Sequence, residues 1–184
     1  MAEETREQAL HKRALEWYAG QLRRRPLQTK VTTSALISVL GELLRAAIKK
    51  DRTSLRRIAV FAAYGGAVVA PIMHFWYSFL ERSCRKYGTG VVGIIMRLVG
   101  DRLVLGPPFI AATILFLQTG LGGSLRKGAA AVKKQFLPVF AAATKLWTPA
   151  QLVNFKAVPV QYRVLYGNLV AVGWNVLLAM MVSS

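Results

Sequence analysis

The sequence predicts an all-α integral membrane protein, a bundle of four transmembrane helices with amphipathic interfacial helices, forming one domain over residues 1–184. Three observations carry this expectation. Uncharged runs from Ile58 to Leu80, Leu103 to Leu125 and Val164 to Ser184 each exceed the ~18 residues of a spanning candidate. Apolar residues make up 54% of the chain while its net charge is +17, a pairing that suits apolar spans joined by basic loops. The charge is also dispersed among the gaps between runs rather than gathered beside aromatic platforms, which argues for anionic lipid headgroups as the contact and against nucleic acid.

Residues 1–26 read as an amphipathic lead-in, with Leu10, Ala14 and Trp17 on one side at helical spacing and Arg23, Arg24 and Arg25 forming a basic knot before Pro26. Glu3, Glu4 and Glu7 precede any apolar stretch, so no cleavable address is expected. The first span is placed at 27–49. Within it Ser34, Ser38, Glu42, Arg45 and Lys49 recur at steps of three and four and so share one stripe. Intramembrane charge is costly and normally turns towards a bundle interior or water, which makes this stripe the leading pore-lining candidate. The competing reading is that Glu42 and Arg45 lie at the span's end and pair with each other or a neighbour.

The second span, 58–80, carries Gly65, Gly66 and several alanines, a surface for close helix contact, and then Pro71, which kinks it. His74 is expected either as a proton-sensitive pore group or as a neutral imidazole hydrogen-bonded at the interface. Val91 to Val99 is too short to cross alone, and lies in the interface or extends the third helix. Arg97 and Asp101 are spaced for an ion pair along one helix face.

The third span is placed at 103–120, with Thr113 and Gln118 as its polar groups. After the glycines at 120–123, residues 124–146 read as an amphipathic helix that lies flat or re-enters near 136–143. Pro149 and Pro159 lack backbone donors and predict a broken hinge over 147–163. The last span covers 160–182, with Arg163 snorkelling at its start. An even number of spans puts both termini on one side, and the basic residues balance between sides, giving no orientation.

Several spaced motifs resemble one membrane family. Trp147, Pro149, Gln151, Asn154, Phe155, Pro159, Arg163 and Trp174 form a C-terminal signature, Pro71, His74, Trp76 and Tyr77 a second block, and Asp101 and Arg102 followed by Pro107 a third. They resemble the Mpv-seventeen/peroxisomal membrane protein 2 (PMP-twenty-two) family, closest to its peroxisomal branch. The resemblance implies four spans, a peroxisomal or mitochondrial inner membrane, and for some members a pore for small solutes. These motif residues are read as serving folding rather than transport.

Candidate chemistry is thin. Cys84 is the single cysteine, so no internal disulfide and no metal set is expected, and no nucleophile–base pair or phosphate-binding glycine loop is present. No cofactor and no enzymatic activity are expected. The leading reading is a peroxisomal membrane channel for passive diffusion of small hydrophilic metabolites, forming a homo-oligomer, with Ser34, Ser38, Glu42, Arg45, Gln118 and Arg163 as pore-lining candidates. The alternatives are a non-conducting scaffold or assembly factor, and a pore of the mitochondrial inner membrane.

Overall fold

The computed structural model describes Arg13 and residues 16–182, and Leu10 and Ala14 of the lead-in lie outside them. A helical lead-in over 16–24 precedes α1, Pro26–Lys49. Pro26 suits the first turn, where its missing N–H has no intrahelical partner to lose. Lys50 ends the helix in the left-handed conformation, its N–H donating to the carbonyls of Ala46 and Ala47. Ser54 then caps α2, Leu55–Ala63, by accepting the N–H of Arg57.

A π turn, Tyr64–Val69, joins α2 to α3, Ala70–Cys84. A second π turn, Gly100–Leu105, joins α4, Val91–Val99, to α5, Gly106–Gly120. Pro71, Pro107 and Pro108 each fall just past a π turn, so the ladder is already shifted where a donor is missing. Val91–Val99 therefore extends the third apolar span instead of lying in the interface.

The segment after the glycines departs furthest from expectation. It is one helix, α6, running Leu125–Ala157 through both Pro138 and Pro149, and the chain breaks only at Val158 and Pro159. Docking of Gln151, Asn154 and Phe155 into the bundle outweighs the helix-breaking bias at Pro149. A 3-10 turn, Val160–Tyr162, leads to α7, Arg163–Val182.

Cross-contacts fix the helix directions. Lys30 meets His74 and Glu42 meets Arg57, so α2–α3 returns antiparallel to α1. Trp76 meets Asp101, Tyr64 meets Thr113 and Arg56 meets the Gly120 carbonyl, so α4–α5 runs antiparallel to α2–α3. Ser34 meets Asn168 and Gly41 packs on Asn175, so α7 runs parallel to α1. Between α5 and α7, α6 travels back along the bundle. Gly128 sits against Thr119, Phe140 faces Gly106, Gln151 reaches Asp101 and Asn154 reaches the Arg163 carbonyl.

Five rods thus alternate in direction. Pro26 and Val182 consequently lie at opposite ends of the bundle, while the chain termini, to which the expectation of both on one side applies, lie outside the described residues. The end where α1 and α7 begin is called proximal below, the other distal.

Four helical segments have the length and apolarity to cross a bilayer: Pro26–Lys49, Leu55–Tyr87, Val91–Gly120 and Val160–Met181. The protein is an all-α membrane helical bundle. Its main core joins Phe61, Tyr64, Ile114, Leu117, Val139, Trp174 and Leu178, while a proximal cluster joins Tyr77, Leu80, Cys84, Phe155 and Val164. Outward positions on these segments are also apolar, among them Leu36, Phe75, Leu103 and Leu169, as suits lipid contact. At Gly65 an added Cβ would collide with the Ser34 carbonyl and the Ser38 hydroxyl, so only glycine admits this approach of α1 to the first π turn.

A central cavity between two buried ion-pair networks

A partly open space of about 80 Å³ lies within the bundle, walled by α1, α3, α5, α6, α7 and both π turns. Ile37, Ile110, Phe140, Ala143, Trp147 and Trp174 give it apolar walls. Its polar groups are Ser34, Ser38, Tyr77, Arg102, Gln151, Asn168 and Asn175. The Ser34 hydroxyl donates to Asn168 Oδ1 at 3.0 Å, while Asn168 Nδ2, buried, finds no protein partner among the described residues. A buried amide nitrogen needs an acceptor, and the space is several times what one water requires. Trp147 and Trp174 meet edge to face with centroids 6.5 Å apart.

On the proximal side, three separate sequence blocks converge on Asp101, which is fully buried. Its carboxylate accepts from Trp76 Nε1 at 3.0 Å, Gln151 Nε2 at 3.1 Å and Arg102 Nε at 3.0 Å. Gln151 Nε2 lies also 3.0 Å from the Tyr77 hydroxyl, and its Oε1 accepts from Asn154 Nδ2 at 2.8 Å. Phe155 packs edge-on against Tyr77. The second π turn allows this convergence by turning Asp101 inward, one residue from Arg102 on the cavity wall.

On the distal side, Glu42 is fully buried and satisfied by five donors. Arg45 grips it with Nε and Nη2, both at 2.9 Å, Arg57 with Nε at 2.7 Å and Nη2 at 3.1 Å, and the Thr53 hydroxyl adds a bond at 2.9 Å. Arg45 also reaches Asp51 at 3.2 Å. This network ties the end of α1 to the following loop and the start of α2. Charge-assisted, forked bonds of this kind fix geometry as well as energy.

The predicted residues divide accordingly. Ser34 and Ser38 line the cavity; Glu42 and Arg45 belong to the distal network and Gln118 lies beside Gln135, none of them on its wall. Arg163 donates to Glu81 at 2.8 Å and to the Val158 carbonyl, and stands over the Phe155 ring. Arg97 pairs with Glu81 and with the carbonyls of Gly88 and Gly93, so the expected Arg97–Asp101 pair does not form. Asp101 is taken instead by Trp76, Gln151 and Arg102.

His74 Nδ1 is 3.1 Å from Lys30 Nζ. Of the remaining motif residues, Pro71 occupies the first turn of α3, Pro149 is on the outer side of α6 and Pro159 marks the break before α7. Asn168 and Asn175 were missed as cavity groups. Their signal was a seven-residue spacing, which places two amides on one face of an otherwise apolar helix. Among the described residues no cluster of three or more His, Cys, Asp and Glu could hold a metal ion.

Comparison with known proteins follows the same residues. The Mpv17 / PMP22 family description matches residues 121–179, which hold α6 and most of α7. Peroxisomal membrane protein 2 of Bos taurus is 35% identical over 178 residues, covering 92% of this chain and 90% of that protein. PXMP2/4 family protein 1 of Dictyostelium discoideum is 31% identical, covering 88% of this chain and 81% of its own. Mitochondrial inner membrane protein Mpv17 of Caenorhabditis briggsae is 28% identical, covering 88% of each. No solved structure matches. With its motif blocks assembled around one buried aspartate and relatives alike over nearly the whole length, the chain belongs to the Mpv17 / PMP22 family.

Proposed function

We propose that this chain is a peroxisomal membrane channel through which small hydrophilic solutes diffuse passively, assembled as a homo-oligomer and in contact with anionic headgroups. The observation that carries this reading is the mid-bundle cavity, where a few buried polar side chains face a space with largely apolar walls. Ser34, Ser38, Gln151, Asn168 and Asn175 border this space, and the buried Asn168 Nδ2 has no partner among the described residues, so the space offers both room and polar groups for water. A hydrated interior is the minimum a solute pathway requires. Peroxisomal residence is supported by the bovine relative's name, and the mitochondrial inner membrane is the second reading because Mpv17 relatives also match.

The purified chain in liposomes is expected to release small entrapped polar solutes while retaining large dextrans. Retention of both by folded protein would remove the channel reading in favour of a non-conducting scaffold. Imaging of a tagged chain beside peroxisomal and mitochondrial markers decides the organelle.

A further inference from the structure

The helix α6 is not among the four apolar spans, yet the topology leaves it no other route. Both α5 and α7 run from the proximal to the distal end, so the segment joining them must come back. Packing shows that it does so inside the bundle, from Gly128 against Thr119 at the distal end to Phe155 against Tyr77 at the proximal end. If the four apolar segments cross a membrane, α6 crosses with them.

Its outer face is unlike theirs. Lys134, Pro138, Ala141, Lys145, Pro149, Leu152 and Lys156 are all exposed and fall on one stripe. The lysines recur every eleven residues, close to three helical turns, hence about 17 Å apart. Lys134 and Lys156 are thus separated by about 33 Å, near the ~30 Å thickness of a hydrocarbon core. Lys145 stands midway, between Ala143 and Trp147, which line the central cavity from the opposite face of the same helix. It has no hydrogen-bond or ion-pair partner among the described residues.

A lysine stem reaches only a few ångströms, too short to carry the ammonium from mid-depth to a headgroup. Pro138 and Pro149 add to the demand, because they offer no N–H to the carbonyls of Lys134 and Lys145 on this face. Lipid cannot satisfy an ammonium or a free carbonyl, whereas water satisfies both.

We infer that α6 crosses the membrane as a fifth segment and turns its lysine stripe onto an aqueous lumen walled by further copies of this chain. Among the described residues none covers this face, and the opposite wall comes from outside them. A second copy supplies an equal stripe and, through its apolar outer helices, a lipid-compatible exterior. Repulsion between facing lysines keeps the stripes apart, with water and small anions between them. As the route of solutes this rests on the channel reading; as a statement about the surroundings of α6 it does not.

The test uses the full chain in liposomes, with Cys84→Ala as background because Cys84 is the single cysteine. A cysteine at Lys145 is expected to react with a membrane-impermeant thiol reagent nearly as fast as one at the loop residue Asp51. One at Leu177, on the outer face of α7, should be about 100-fold slower, the penalty of forming a thiolate in hydrocarbon. A bis-maleimide should link Lys145→Cys copies into dimers or higher products. In planar bilayers under a salt gradient, Lys145→Glu should move the reversal potential towards cations.

Slow labelling at position 145, equal to that at 177, would overturn the aqueous face. Labelling without links between copies would overturn the shared lumen. Conductance with an unchanged reversal potential would overturn the stripe as its lining. Silence in the bilayer alongside rapid labelling would sink the channel reading while leaving the water-facing α6 in place.

Discussion

At the residue scale, two buried carboxylates hold the bundle's polar interior together. Asp101 gathers donors from three elements, so Asp101→Leu strands the Arg102 guanidinium and the Trp76 N–H and leaves the Gln151 amide nitrogen only the Tyr77 hydroxyl. The expected loss is about 3–5 kcal/mol, measurable by unfolding in detergent. Asp101→Asn keeps one acceptor oxygen and should lose clearly less. Equal loss in both variants would show that charge, not acceptance, is what the site needs. Glu42 presents the same logic in another setting. Glu42→Leu leaves two guanidiniums facing each other at the end of α1 and should also cost about 3–5 kcal/mol, whereas adding Arg45→Met and Arg57→Met should recover part of that loss. If the triple variant is no better than the single one, packing rather than uncompensated charge explains the defect.

At the scale of elements, the two π turns and the prolines behind them set which side chains face inward. The first brings Gly65 into contact with α1, where the Ser34 carbonyl leaves no room for a Cβ. Gly65→Val should therefore separate α1 from this turn at a cost of about 2 kcal/mol or more, and should raise proteolysis in the α1–α2 loop. Gly66→Ala is the control. Its added carbon would meet only ordinary contacts with Ala35 and Val31, so stability should change by less than about 1 kcal/mol. The second π turn does for Asp101 what no straight helix would, aiming it at Trp76 and Gln151 while Arg97 four residues earlier pairs with Glu81. Helical spacing alone suggested an Arg97–Asp101 pair because a local pattern cannot see Glu81, 16 residues away, which takes Arg97.

At the scale of the whole molecule, the alternation of five rods puts Pro26 and Val182 at opposite ends. Tags on the two termini of the chain in intact organelles should differ in accessibility to added protease, one cleaved and the other protected. Equal behaviour would mean that α6 does not cross. The sequence by itself determined the class, the four apolar spans and the family, because hydrocarbon thickness imposes a length and a composition that can be read along a chain. It also placed the Ser34/Ser38 stripe, since helical periodicity is local. What it could not decide was the fate of α6, which read as an amphipathic helix lying flat or re-entering near 136–143, followed by a hinge. Tertiary structure decided that. Docking of Gln151, Asn154 and Phe155 carries the helix through Pro149, and the parallel course of α5 and α7 obliges it to return through the bundle. Likewise the meeting of Trp76, Asp101 and Gln151 depends on contacts 25 and 50 residues apart, fixed by the packing of whole helices rather than by any local pattern.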